Sequence, residues 1–302
     1  MTSLPQRYAA DYRPVRHDPM TTLLTESRAT KVAFRPVNVD GYQTGALDIS
    51  VAGRRILSIP SQLGCRVACS FCISKHTPLI RNLATDEMLL LVQTCFDAEP
   101  ADGRPVDLSF TGEGEPLLNW KNATACAEEA ARRHANAFTT VRYSFSGIGA
   151  SHLLAKARHS QLPVRLQLSL HAARQSVRDQ LIPRSQPLAV ILAALRARQA
   201  DFSAVELNVV LLDGINDTDA DLRALLEWGD PAWPVLLNPL VADGREVIAQ
   251  ATAHFADALR AAGRDVKVYL SIATHISRQR IYPLMSATPA VREETHDSVR
   301  AA

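Results

Sequence analysis

Short apolar runs and longer segments with helical spacing alternate along this chain from Ile56 onward. Apolar or β-branched runs predict strands at about 56–60, 106–111, 140–145, 164–170, 205–212, 235–240 and 266–272. Between them, helical spacing predicts helices at roughly 86–97, 120–133, 151–158, 187–198, 220–228 and 246–262. Thr85 ahead of Asp86 and Glu87 reads as a helix start, and Gly263 as a stop. The strands read as nearly all apolar, as expected when both faces of a sheet are buried. Such alternation predicts an α/β fold with a parallel sheet and crossover helices, built as a partial TIM-type (β/α)6 barrel. Ahead of it, residues 1–30 read as a polar arm with Pro5, Pro14 and Pro19. Runs at 31–37 and 46–51 read as a small β-hairpin cap, punctuated by Gly41 and Gly53. The expected division is therefore an arm and cap over 1–54, a barrel over 55–284 and a tail over 285–302.

Polar residues recur at one end of each expected strand. A cysteine-rich loop follows the first and Gly112-Glu113-Gly114-Glu115-Pro116 the second. Ser144 and Ser146 end the third, Ser169 and His171 the fourth. Asp213, Asn216 and Asp217 follow the fifth, and Asn238 ends the sixth. A barrel gathers the C-terminal ends of its strands at one mouth, where such folds do their chemistry.

The chemistry is concentrated in Cys65, Cys69 and Cys72, a C-x3-C-x2-C triplet. Three thiolates hold three irons of a cubane 4Fe-4S cluster and leave the fourth iron open to a ligand. The alternatives are a zinc knuckle or three free thiols; a structural zinc normally takes four ligands, and no local fourth Cys or His completes this set. In the loop 112–116, the glycines allow close backbone approach to a ligand and Glu115 suits an ammonium group; its plainer reading is a tight turn. Ser144, Ser146, Ser169 and Asn238 suit ribose hydroxyls and an adenine edge as a set. His171 reads equally as a packed structural residue or a functional one. Arg81 either grips an anion bidentately or braces the loop. Asp217 with Thr218 reads as a helix cap, Cys95 and Cys126 as core. His275, Arg278 and Arg280 read as a solvated face or as part of the barrel mouth.

Composition adds limits. The 302 residues are 47% hydrophobic and 21% charged, with a net charge of +2, which neither requires nor excludes a nucleic-acid partner. Five cysteines, an odd number without framework spacing, argue against a secreted disulfide scaffold. The longest apolar runs, at 88–92 and 189–195, are too short to cross a bilayer. The N-terminal residues lack a signal-peptide core. A cytoplasmic protein is expected, with no membrane partner.

Taken in order, the motifs resemble a known family. The triplet is the signature of radical S-adenosylmethionine (SAM) enzymes. The string 61–65, Arg81-Asn82-Leu83, Gly114-Glu115-Pro116-Leu117-Leu118-Asn119, Ser146-Gly147, Ser169-Leu170-His171-Ala172, 213–217 and Asn238-Pro239 resemble the radical SAM methyltransferases that modify C2 or C8 of an RNA adenine. The resemblance runs from about 55 to 240. It implies a 4Fe-4S cluster on Cys65, Cys69 and Cys72, with SAM on the open iron. It also implies that Gly114, Glu115 and Pro116 line the methionine end of SAM, and that Ser146, Ser169, His171 and Asn238 belong to the cofactor site. An electron donor such as flavodoxin or ferredoxin is implied as a partner.

Two cysteines of that family are missing. One lies seven residues before the triplet, where this chain has Ser58; the other follows the last strand, and no cysteine follows Cys126 here. A serine hydroxyl is a far poorer nucleophile and leaving group than a thiol. The family's N-terminal RNA-binding domain also has no counterpart in the roughly 54 residues before the barrel. The expectation is a radical SAM enzyme that abstracts hydrogen directly from a small molecule, nucleotide or peptide. The alternatives are an RNA methyltransferase using another methyl route, with RNA as partner, and a non-catalytic cluster protein.

Overall fold

The computed structural model describes residues 29–51, 53–154, 162–242, 245–268 and 288–289. Its strands begin with β1 (Ala29–Val39), β2 (Tyr42–Val51), β3 (Arg54–Ser58), β4 (Gln62–Leu63) and β5 (Arg81–Asn82). They continue with β6 (Val106–Phe110), β7 (Phe138–Phe145), β8 (Val164–Ser169), β9 (Ala204–Val210) and β10 (Val235–Asn238). The last are β11 (Leu240–Ala242), β12 (Arg245–Val247), β13 (Val266–Val268) and β14 (Thr288–Pro289). The helices are α1 (Thr85–Ala98), α2 (Trp120–Arg133), α3 (Ala150–Leu153), α4 (Gln175–Leu181), α5 (Leu188–Arg198), α6 (Asp219–Glu227) and α7 (Thr252–Ala261).

One sheet runs β1-β2-β3-β6-β7-β8-β9-β10-β13, with β14 added on β2. From β3 to β13 seven strands lie parallel in chain order. Six crossovers join them, which makes a partial (β/α)6 barrel whose edges β1 and β13 do not pair with each other. The N-terminal hairpin extends this sheet: β2 pairs antiparallel with β3. Its two strands meet at Asp40 and Gly41, with φ of 50° and 78°. Positive φ at both positions is the type I′ geometry that matches strand twist, and Asp-Gly is its preferred sequence. Arg55 locks the hairpin to the barrel. Its Nε and Nη2 each donate to Asp48 at 2.8 Å, and Nη1 and Nη2 donate to the carbonyls of Glu99 (2.6 Å) and Cys95 (2.8 Å) at the end of α1.

The expectation of strands apolar on both faces is corrected. Register puts Ser109, Arg142 and Arg165 side by side, and likewise Ser144, Gln167 and Glu206. Laterally paired residues share a face, so the concave side of the sheet is polar. The opposite face carries Leu108, Val141, Tyr143, Leu166, Leu168, Val205 and Leu207, all buried under the helices. The concave side is satisfied internally: Glu206 accepts from Arg142 (3.1 Å) and Arg165 (2.8 Å), and Ser144 donates to Gln167 (2.7 Å). Burial opposes ionisation of Glu206, but the two guanidiniums outweigh it and lower its pKa.

Helix positions follow local chemistry. The Glu87 carboxylate accepts the Ala84 N–H at 2.8 Å at the start of α1, whose Met88, Leu91, Val92, Cys95 and Phe96 are buried. In α2, Ala123, Cys126, Ala127 and Ala130 are buried at 3.6-residue spacing. Thr218 caps α6 by accepting from the Asp221 N–H. Several elements differ from expectation, among them the short strands β4 and β5 and the short α3. The helix expected over 246–262 is β12 followed by the shorter α7. The strand expected over 235–240 breaks at Pro239 into β10 and β11. Helix α4 occupies a stretch for which no element was expected. The N-terminal arm to residue 28, His275, Arg278, Arg280 and the segment 271–284 lie outside the described residues, as does nearly all of the tail.

Candidate functional site

The loop after β3 carries the three cysteines and is tied down at several points. Cys65 N–H donates to the Thr77 carbonyl at 3.1 Å, Cys72 N–H to Cys69 at 3.1 Å, and Ser70 N–H to Leu181 at the end of α4 at 2.9 Å. Ala68 takes a positive φ of 57°, which turns the chain between Cys65 and Cys69. The N–H groups of Val67 and Ala68 face the Cys65 sulfur, and Ser74 offers its N–H and hydroxyl to Cys72. Burial pushes the Cys65 thiol up to about 11 and raises Cys69 and Cys72 as well, with the neighbouring thiols adding to the rise at Cys65 and Cys69.

The loop after β6 lies beside it. Gln62 in β4 accepts the Glu115 N–H through Oε1 at 2.7 Å and donates through Nε2 to Asn82 in β5 at 2.7 Å. Asn119 donates to the carbonyls of Ser61 (2.7 Å) and Leu83 (2.8 Å). The segments 61–63, 81–83 and 114–119 thus form one hydrogen-bonded unit that presents Glu115. Gly114 has a φ of +101°, and a Cβ there would lie 2.7 Å from the Gln62 Cβ. Only glycine fits that conformation and that approach.

Glu115 is 2% exposed. Its Oε2 accepts the Ser146 N–H at 2.8 Å, while Oε1 is buried with no hydrogen-bond partner among the described residues. Burial pushes its carboxyl up to about 7, against the lowering effect of Ser146. An unpartnered buried acceptor of this kind invites a cationic donor.

These elements enclose a pocket of about 630 Å³, including its open mouth, at the C-terminal ends of β3, β6, β7 and β8. Cys65, Cys69, Cys72, Gly114, Glu115, Ser146, Ser169 and His171 all line it, as does Ser144. Two candidate residues do not line it. Pro116 is buried at the start of the turn that leads to α2. Asn238 ends β10 and donates to Asn208. His171 is built into the frame: its Nδ1 accepts the Val210 N–H at 3.1 Å, and its carbonyl accepts from Asn216 at 2.6 Å. Burial, helped by Arg178, pushes the imidazole down to about 3. It is therefore neutral, with its proton on Nε2.

Several residues outside the pocket have structural partners. Arg81 grips Glu87 through Nη1 (2.8 Å) and Nη2 (2.7 Å), and also Asp40, so it braces the hairpin turn against α1. Asn216 spans His171 and Val210, Asp217 accepts the Gly214 N–H, and Asp213 accepts the Gln250 N–H. Ser58, where the resembled family has a thiol, bonds the Thr111 hydroxyl at 2.8 Å, and Thr111 lines the pocket.

Sequence reasoning missed Arg178, which is fully buried on α4. It donates to the carbonyls of Ser146 (2.6 Å), Ser169 (2.8 Å) and Leu170. Nothing in its helix marks it except an arginine between the apolar Val177 and Leu181. Gln62, an unremarkable glutamine in the sequence, positions Glu115 by accepting its N–H.

The donor set fits a cluster with an open iron. Cys65, Cys69 and Cys72 line one pocket, and three thiolates leave one iron of a cubane without a protein ligand. The unpartnered Glu115 oxygen and the bare backbone at Gly112 and Gly114 lie in the same pocket.

Comparison with known proteins agrees with this chemistry. Residues 59–228 match the radical SAM superfamily. The dual-specificity RNA methyltransferase RlmN of Rhodospirillum rubrum is 32% identical over 199 residues, 62% of this chain and 46% of that protein. A probable RNA methyltransferase of Rhodopirellula baltica is 32% identical over 266 residues, 82% of this chain and 68% of that protein. The crystal structure of a radical SAM methyltransferase from Sphaerobacter thermophilus aligns with a TM-score of 0.65 at 25% identity, covering 81% of this chain and 79% of that one. The chain spans about half the length of the RlmN relative. No helix among the described residues is long and apolar enough to cross a membrane. The chain belongs to the radical SAM superfamily.

Proposed function

We propose that Cys65, Cys69 and Cys72 hold a 4Fe-4S cluster, that the pocket beside them binds SAM, and that the enzyme takes hydrogen directly from its substrate. When bound and reduced, the cluster supplies the electron that splits SAM into methionine and a 5′-deoxyadenosyl radical. Glu115 Oε1 would accept the ammonium group of SAM, while Oε2 stays on the Ser146 N–H. Ser144, Ser146 and Ser169 would offer hydroxyls to the ribose, and neutral His171 would offer its Nε2 proton. Val67 and Phe71 line the pocket with apolar side chains that would keep water from a reactive intermediate. Asn238 lies at the same strand ends and would reach the cofactor only from the rim. A cytoplasmic flavodoxin or ferredoxin would deliver the electron.

The observation that carries hydrogen abstraction is Ser58. The methyl route of the resembled family passes through two thiols, and here a hydrogen-bonded serine stands at one of those positions. RNA remains the second reading, favoured by the RNA methyltransferase names of the relatives. It would need a methyl route without that thiol. The test is anaerobic: the cluster is reconstituted, dithionite and SAM are added, and 5′-deoxyadenosine and S-adenosylhomocysteine are quantified against Cys69→Ala. Deoxyadenosine that depends on Cys69, without S-adenosylhomocysteine, is expected. Stoichiometric S-adenosylhomocysteine with methylated RNA would replace the first reading by the second.

A further inference from the structure

Arg178 is a fully buried cation that forms no salt bridge among the described residues. A buried charge normally needs a partner, since desolvating an ion costs several kcal/mol. Here the guanidinium is held by neutral acceptors only: three carbonyls and the Ser185 hydroxyl at 3.1 Å. Its Nε–H has no partner at all. A negative charge arriving from outside the chain would compensate it.

The surroundings say where that charge would sit. Ser146 and Ser169, whose carbonyls Arg178 holds, both line the cysteine pocket. Helix α4 is also bound to the cysteine loop, because Ser70 N–H donates to the Leu181 carbonyl and Cys69 packs against the cluster of Val177 and Leu181. The Arg178 charge is near enough to favour a negative charge on the Cys69 sulfur. Three thiolates around an iron–sulfur core make a net anion, and one-electron reduction adds a further negative charge. A fixed buried cation favours the reduced state over the oxidised one.

We propose that Arg178 is the positioning residue that sets the reduction potential of the cluster through its charge, while its hydrogen bonds fix the ends of β7 and β8. This rests on the cluster reading above. The potential is read by EPR-monitored redox titration of reconstituted wild type, Arg178→Gln and Arg178→Lys, with iron content and apo-protein melting measured alongside. Arg178→Gln is expected to lower the equilibrium constant for reduction at least tenfold, a shift of about 59 mV for a one-electron couple. Arg178→Lys keeps the charge but loses most of the clamp. It is expected to melt earlier as apo-protein, yet keep the equilibrium constant within about threefold of wild type. A glutamine variant with a full cluster and an unchanged potential would overturn the proposal. So would a lysine variant shifted tenfold or more, which also decides the case if the glutamine variant does not fold. Wild type that assembles no 4Fe-4S cluster would overturn the functional reading itself, before either variant is compared.

Discussion

Glu115→Gln separates what the buried carboxylate does for binding from what it does to stability. In the free protein its charged form is unfavourable: burial raises the carboxyl from its ordinary 4.5 to about 7. At about 1.4 kcal/mol per pKa unit, that penalty is about 3 kcal/mol once the group is ionised in both folded and unfolded chains. The sign follows from proton binding. Between pH 4.5 and 7 the folded chain holds a proton that the unfolded chain has lost, so folded stability falls as pH rises and levels off above 7. Glutamine carries no charge, and its carbonyl oxygen still accepts the Ser146 N–H. The variant should therefore match wild type near pH 4.5 and exceed it by up to about 3 kcal/mol at pH 8. Urea unfolding of apo-protein at several pH values reads this difference. SAM binding should move the opposite way, weakening at least tenfold at pH 8, because the ammonium loses its anionic partner. A stability difference that does not change with pH, or SAM affinity equal to wild type, would refute the reasoning.

Three further outcomes follow from local geometry. Gly114→Ala places a Cβ 2.7 Å from Gln62 at a φ of +101°; it should cost about 2–4 kcal/mol in urea unfolding and weaken SAM binding by moving the Glu115 N–H off Gln62. Arg55→Ala leaves buried Asp48 with only the longer contact from Arg35, at 3.5 Å; a loss of about 3 kcal/mol is expected, with the hairpin strands losing amide-exchange protection first. Ser58→Cys restores one thiol of the resembled methyl route but not the second, so S-adenosylhomocysteine should stay at background in the anaerobic assay. Its appearance would show that one thiol suffices.

Much of the fold was legible because strands and helices alternate with clear periods. The ends of α2 fall where apolar spacing puts them, and α1 begins at Thr85, one residue before the expected 86. The polar concave face was less legible, although Thr140-Val141-Arg142-Tyr143-Ser144-Phe145 alternates plainly. The expected strands already span Arg142, Arg165 and Gln167, but only lateral register, which pairs Arg142 with Arg165 and Gln167 with Glu206, puts these residues on one shared face. At the site, motifs adjacent in sequence were readable, as with the cysteines and the loop 112–116. Arg178 was not, since its significance lies in carbonyls 8, 9 and 32 residues away. His171 remained open in sequence because only the Val210 N–H on its Nδ1 fixes its tautomer and role.

The central claim is that SAM binds beside Glu115 on a cluster held by Cys65, Cys69 and Cys72. The most direct measurement is the EPR spectrum of the reduced, reconstituted protein with and without SAM. The account predicts that SAM changes the cluster signal in wild type, and that Glu115→Gln needs at least tenfold more SAM for the same change. A fully formed cluster whose signal is indifferent to saturating SAM would contradict it.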